Sequence, residues 1–151
     1  MGTHPIRAAV ILGAAGALAA SLGTASAAPS AQTVPRQQPP DPVLVDCAWQ
    51  PEVRPEAFLI ACGDGNSRLA ALDWERWDAQ AAVARGVNVV NDCDPYCAAG
   101  TFHEYDVIVR LDRPDTWERE PDLAHFTRMS LTYTDARPEG FPSTVDYPLW
   151  D

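Results

Sequence analysis

The sequence predicts a mainly β protein, a small disulfide-stapled sandwich or barrel that follows a signal peptide and a proline-rich linker. Three observations carry this. Two segments alternate apolar and polar residues with period two, Tyr105–Leu111 and Phe126–Thr134. Glycine, asparagine and proline clusters separate short apolar runs. Four cysteines, Cys47, Cys62, Cys93 and Cys97, fall in one short domain. Period two with β-branched residues marks a strand with one buried face, and an even number of cysteines in a small exported domain reads first as disulfides.

The chain divides into residues 1–27, 28–42 and 43–151. The first is a signal peptide. One arginine and no acid precede an apolar run from Ala8 to Gly23, short of the roughly 20 apolar residues a membrane span requires. Ala25 and Ala27 form a small-x-small site, so cleavage is expected after Ala27. There is no twin arginine, and no cysteine near the cut for a lipid anchor. The expected product is secreted and extracellular, with no stable membrane insertion. Cleavage removes one base and no acid, taking the formal charge from −10 to −11. Such a charge repels phosphates and anionic lipid, so nucleic acid is not expected as a partner. Every basic residue is arginine, the mark of codon bias in a GC-rich genome. Residues 28–42 hold five prolines and few large apolar groups. They cannot bury enough surface to order themselves and read as a disordered spacer.

Residues 43–151 have the length of one domain. Val43–Ala48, Phe58–Ala61 and Val87–Val90 are further candidate strands. Gly63-Asp64-Gly65-Asn66 is turn chemistry, because glycine and asparagine tolerate positive φ. Arg113-Pro114-Asp115 and Arg137-Pro138-Glu139-Gly140 read as proline-marked loops. Residues 69–85 suit either strands or, with Ala81–Ala84 ahead of Gly86, a short helix near 75–85. Strands are preferred; the helix would make the fold α+β. Three cysteine pairings are possible. A hairpin of Val43–Trp49 with Phe58–Cys62, turning at Arg54-Pro55, would place Cys47 opposite Cys62 and leave Cys93 to Cys97.

Candidate chemistry is sparse. Cys93, Cys97 and His103 have poor spacing for zinc. Asp64-Gly65-Asn66 and Asp92-Cys93-Asp94 resemble pieces of calcium loops, but Arg68 and Ala71 stand where ligands belong, so both are turns. No metal and no cofactor is expected. His103-Glu104-Tyr105-Asp106 gathers a base, acids and a phenol before a strand, and a cleft could use them for general acid–base work. No G-x-S-x-G elbow accompanies them. Five tryptophans are many for this domain. Most belong in the core, while Trp117 and Trp150, in polar surroundings, are candidates with His103 for a binding surface.

The strings Phe58-Leu-Ile-Ala-Cys-Gly-Asp-Gly-Asn66, Leu69-x-x-Leu72-x-Trp74-x-x-Trp77 and Asn91-Asp-Cys93-Asp-Pro-Tyr-Cys97-Ala-Ala-Gly100-Thr-Phe, with the two alternating segments, resemble a set of small secreted actinobacterial proteins. The resemblance covers nearly the whole domain. It implies export and a shared β-rich fold, and carries no activity or catalytic residue. The sequence therefore points to a non-enzymatic binding or interaction module of the cell envelope or medium, with a wall polysaccharide or a protein as partner. The alternatives are a small hydrolase using His103 and nearby carboxylates, and a protease-inhibitor-like protein presenting a disulfide-braced loop.

Overall fold

The computed structural model describes residues 40–150. The expected leader, most of the spacer and Asp151 lie outside the described residues. Alternating apolar residues form strands because period two puts every second side chain on one face, where burial stabilises it. Eight strands result: β1 Leu44–Val45, β2 Pro51–Glu52, β3 Phe58–Leu59, β4 Ser67–Trp77, β5 Ala82–Asn91, β6 Phe102–Thr116, β7 Ala124–Tyr133 and β8 Thr144–Pro148. No helix occurs among the described residues. β3 to β8 form a six-stranded antiparallel meander in sequence order, and β1 pairs with β2 alone. The sheet curls into a half-barrel, so the mainly β expectation holds and the barrel form is the one adopted.

Residues 69–85 are strand rather than helix. β4 and β5 pair from Ser67↔Val90 to Trp77↔Ala82. The turn between them is fixed by Asp78, whose Oδ1 accepts the amides of Gln80 (2.9 Å) and Ala81 (3.1 Å). Local side-chain capping of this kind offers the backbone an alternative to continuing as helix. β4 bulges where Ala71 takes φ 51°. The bulge drives its carbonyls against Gly86, where an added Cβ would lie 2.8 Å from Ala70 O. A strand glycine here admits that close approach.

Two further sequence expectations change. The Val43–Trp49/Phe58–Cys62 hairpin does not form. Asp46 accepts the amides of Ala48 and Gln50 through Oδ1 (2.8 and 2.7 Å), turning the chain early, so β1 pairs with Pro51–Glu52 and Phe58–Leu59 pairs with Leu69 and Arg68. Cys47 still bonds Cys62, because the early turn brings the β1–β2 tip beside the end of β3, and Cys93 bonds Cys97. Two disulfides fit an oxidising, extracellular environment. Arg113-Pro114-Asp115 is not a loop. β6 runs through it to Thr116, with Arg113 at φ 55° and Pro114 opposite Phe126. The left-handed arginine bends the strand without ending it.

The concave face is the core. Leu69, Ala82, Ala84, Val107, Val109, Leu111, Met129, Leu131 and Tyr133 are buried in one cluster with Phe58, Leu72, Trp77 and Phe126. Trp77 packs edge-to-face on Trp74 (4.6 Å) and Phe126 (5.6 Å), and its indole N–H donates to Pro42 O at 2.9 Å. The folded body therefore includes Pro42, the last residue assigned to the spacer. The two outer strands are closed at one end by side chains: Trp150, just after β8, stacks on Phe58 of β3 with centroids 6.4 Å apart. β1 leans on β7, where Val43 N–H donates to Ala124 O and Phe126 N–H to Val43 O. In β8, Tyr133 N–H donates to Ser143 O and Leu149 N–H to Thr127 O. The alternate amides, those of Thr144 and Asp146, consequently face away from the sheet, and Pro148 has none.

The Cys47–Cys62 bridge closes a 15-residue separation and Cys93–Cys97 one of four. Replacing Cys47 and Cys62 by serine is expected to lower unfolding free energy by about 3 kcal/mol, and replacing Cys93 and Cys97 by about 2 kcal/mol, on the loop-entropy scale. Urea denaturation of the two double variants measures the difference; a larger loss for the shorter loop contradicts the ordering.

Candidate functional site

The half-barrel has an open end, formed where β4 and β6 start and β5 and β7 finish. Inward-facing positions there stop being aliphatic. Leu69, Asn88 and Tyr105 are cross-strand neighbours, and one step further out come Ser67, Val90 and His103. The loops 92–101 and 134–143 stand around this end. Together they enclose a cavity of about 570 Å³ lined by Val90, Asn91, Asp92, Asp94, His103, Tyr105, Pro138, Glu139 and Phe141.

The floor is a fixed polar network. Asn88 is fully buried. Its amide donates to Ser67 Oγ (3.1 Å) and Arg68 O (3.2 Å), and its carbonyl accepts the Tyr133 hydroxyl at 2.9 Å. A buried amide without these partners would cost about 1–3 kcal/mol. Burial pushes the Tyr133 phenol up to about 12, so it remains a donor throughout the physiological range. Tyr105 stands edge-on to Tyr133, with centroids 6.2 Å apart, and lies tilted beside His103 at 6.5 Å.

The wall is built by the Cys93–Cys97 loop. Buried Asn91 accepts Cys93 N–H through Oδ1 (3.0 Å) and donates to Cys97 O (2.7 Å) and Asn66 Oδ1 (2.9 Å). Gly100 makes this possible: a Cβ there would sit 2.1 Å from Asn91 Oδ1. Asp92 then accepts Thr101 N–H (2.9 Å) and Asp94 N–H (3.1 Å) through Oδ1 and meets His103 Nε2 at 2.9 Å through Oδ2. The His103 bond first, and the two amides after it, hold the Asp92 carboxyl down at about 2, below the ordinary 3.8. A permanently ionised carboxylate thus orients the imidazole, which remains about half exposed to the cavity.

The predicted residues separate accordingly. His103 and Tyr105 point into the mouth, whereas Glu104 and Asp106, one residue out of phase, lie on the convex face. The acid partner of His103 is Asp92, which sequence proximity did not suggest. The alternation already visible in Tyr105–Leu111 excludes Glu104. Finding Asp92 required the β5–β6 register, in which Asn91 opposes Phe102. Glu139 and Phe141 come from a loop that carried no signal beyond its proline and glycine. Cys93 and Cys97 are bonded to each other, which removes them as zinc ligands. No group of three or more His, Cys, Asp or Glu among the described residues is arranged to hold a metal ion. Asp64 forms the expected turn, accepting Asn66 N–H at 3.0 Å beside Gly65 at φ 71°.

The tryptophan candidates lie elsewhere. Trp117 is not a surface residue. It is 1% exposed, packed in a small cluster with Val43 and Val45, because its N–H closes a turn onto Leu123 O that folds the polar loop back over it. Trp150 is half-buried between Phe58 and Trp49. Neither reaches the mouth.

Chemically, the cavity offers carboxylates of Asp92, Asp94 and Glu139, the His103 imidazole and the rings of Tyr105 and Phe141. No serine, threonine or cysteine lines it, so no aliphatic hydroxyl or thiol stands beside the Asp92–His103 pair. Compared with known proteins, the chain matches no family model, no curated protein and no solved structure.

The depressed Asp92 carboxyl carries a pH signature. Its contribution to the loop is complete above the ordinary 3.8 and is lost only as pH falls toward 2. Backbone amide shifts of Thr101 and Asp94, followed by NMR, are expected to titrate with a midpoint near 2. A midpoint near 4 means that the loop is not capped as described.

Proposed function

We propose that this is a secreted binding module of the cell envelope or medium, and that its ligand site is the open mouth of the half-barrel. The leader pattern cleaved after Ala27 and the two disulfides support export. The 570 Å³ cavity carries the binding reading. Clefts of a few hundred Å³ with aromatic walls and a few oriented polar groups, at barrel mouths among other places, are where small ligands bind. This lining accepts more hydrogen bonds than it donates, so it suits a ligand rich in hydroxyl or ammonium donors with an apolar face. A saccharide unit of a wall polysaccharide has that chemistry.

One observation favours a hydrolytic alternative. The 2.9 Å contact of His103 with Asp92 is the geometry of a general base held by a carboxylate. With no serine, threonine or cysteine in the lining for it to deprotonate, the pair would activate water directly.

Wall-derived saccharides titrated into labelled protein are expected to shift the resonances of Val90, His103, Tyr105 and Phe141. Tyr105→Ala is expected to weaken binding at least tenfold, about 1.4 kcal/mol, while unfolding by urea still shows a folded domain. Saccharides that leave the mouth unshifted remove the polysaccharide reading, and turnover lost in His103→Ala favours the hydrolase. Intact mass of protein from the medium is expected to start at Ala28 and to rise by four alkyl groups only after reduction. A retained leader or free thiols overturns export.

A further inference from the structure

A second surface lies outside the mouth, on the chain that forms β1 to β3. A groove of about 550 Å³ runs between the β1–β2 hairpin and β3, with Pro55, Ala57 and Leu59 on its apolar floor and Asp46, Glu52 and Glu56 along its sides. No arginine lines it. β2 pairs only with β1 and β3 only with β4, so each leaves a strand edge unpaired among the described residues. Three of the five large apolar residues exposed on the described surface belong to this segment: Trp49 (36%), Val53 (55%) and Leu59 (37%).

The groove is rigid on the hairpin side. The Asp46 carboxylate bonds both Ala48 and Gln50 amides, Trp49 N–H donates to Asp46 O at 3.0 Å, and Cys47 is tied to Cys62. This leaves Trp49 at φ 62°, a left-handed conformation that bulky side chains rarely adopt. Its ring is clamped, with the Arg119 guanidinium 3.9 Å from its centroid and Trp150 edge-on at 6.3 Å. That packing fixes the tryptophan at the tip of the turn. Strained residues that persist because their surroundings over-determine them cluster at binding clamps. A preset aromatic anchor beside an apolar groove reduces the ordering cost of association.

We infer that this groove docks an extended segment of another protein that carries arginine or lysine beside an apolar side chain. The acidic sides and the formal charge of −10 attract the bases. The apolar floor takes the side chain between them, and the free edge of β3, with the Ala57 and Leu59 amides outward, offers backbone hydrogen bonds as in strand addition. The site is independent of the mouth.

The test titrates the full mature protein with a capped peptide alternating arginine and leucine, and with its glutamate–leucine counterpart. Amide shifts within 46–59 and at the Trp49 indole N–H, from the basic peptide alone, are expected. The double variant Glu52→Lys/Glu56→Lys should weaken the basic peptide at least tenfold and admit the acidic one, with unchanged urea unfolding because both side chains lie outside the main core. Trp49→Leu keeps an apolar group at the tip and should weaken binding with the same charge preference. Equal response to both peptides, shifts located in the mouth, or no shift within 46–59 at millimolar peptide each overturn the inference.

Discussion

A curled antiparallel sheet with its first and last strands unpaired must be closed by something other than backbone hydrogen bonds, and here side chains do it. Phe58 of β3 stacks on Trp150 after β8, Trp49 packs on the far side of Trp150, and Cys47–Cys62 ties the β1–β2 hairpin to the end of β3. A domain of this size buries a smaller share of its surface than a larger one and has a modest hydrophobic reserve. Aromatic area joins the two outer strands, and the covalent bridge anchors the β1–β2 hairpin, which adds to that reserve.

The same economy explains the polar floor. Where aliphatic side chains end, Asn88 and Tyr133 satisfy each other and Ser67, so the interior is terminated by matched hydrogen bonds rather than by a lid. Asn91 repeats the device under the Cys93–Cys97 loop, with Gly100 making room for it. The result is a cup whose polar groups are pre-oriented and in which the Asp92 carboxyl is held below its ordinary range. On the convex face, Arg128 and Arg110 converge on the nearly buried Asp112, and the Arg128 bond first holds that carboxyl below its usual range. That cluster joins strands and borders no cavity of the mouth.

Much of the fold was legible from local pattern. Tyr105–Leu111 and Phe126–Thr134 declared their buried faces through alternation alone, and the Gly63–Asn66 turn through its residue types. The rest depended on contacts distant in sequence. Asp46 and Asp78 decide turns through side-chain acceptors, which apolar patterning does not report, so the first hairpin was expected in the wrong place and the 69–85 region was ambiguous. Trp117 sits among Glu118, Arg119 and Glu120, a polar context that hid its burial against Val43 and Val45. Of the mouth, His103 and Tyr105 could be named from sequence. Asp92, Glu139 and Phe141 became partners only through strand order and loop placement.

β8 is the exposed margin of the sheet, and its outward positions are Thr144, Asp146 and Pro148. An unprotected edge would recruit the same edge of another molecule and grow into fibres. A proline that cannot donate and an aspartate that repels its own copy deny that template. Three residues that do nothing for the interior thus set how this margin meets another copy of itself.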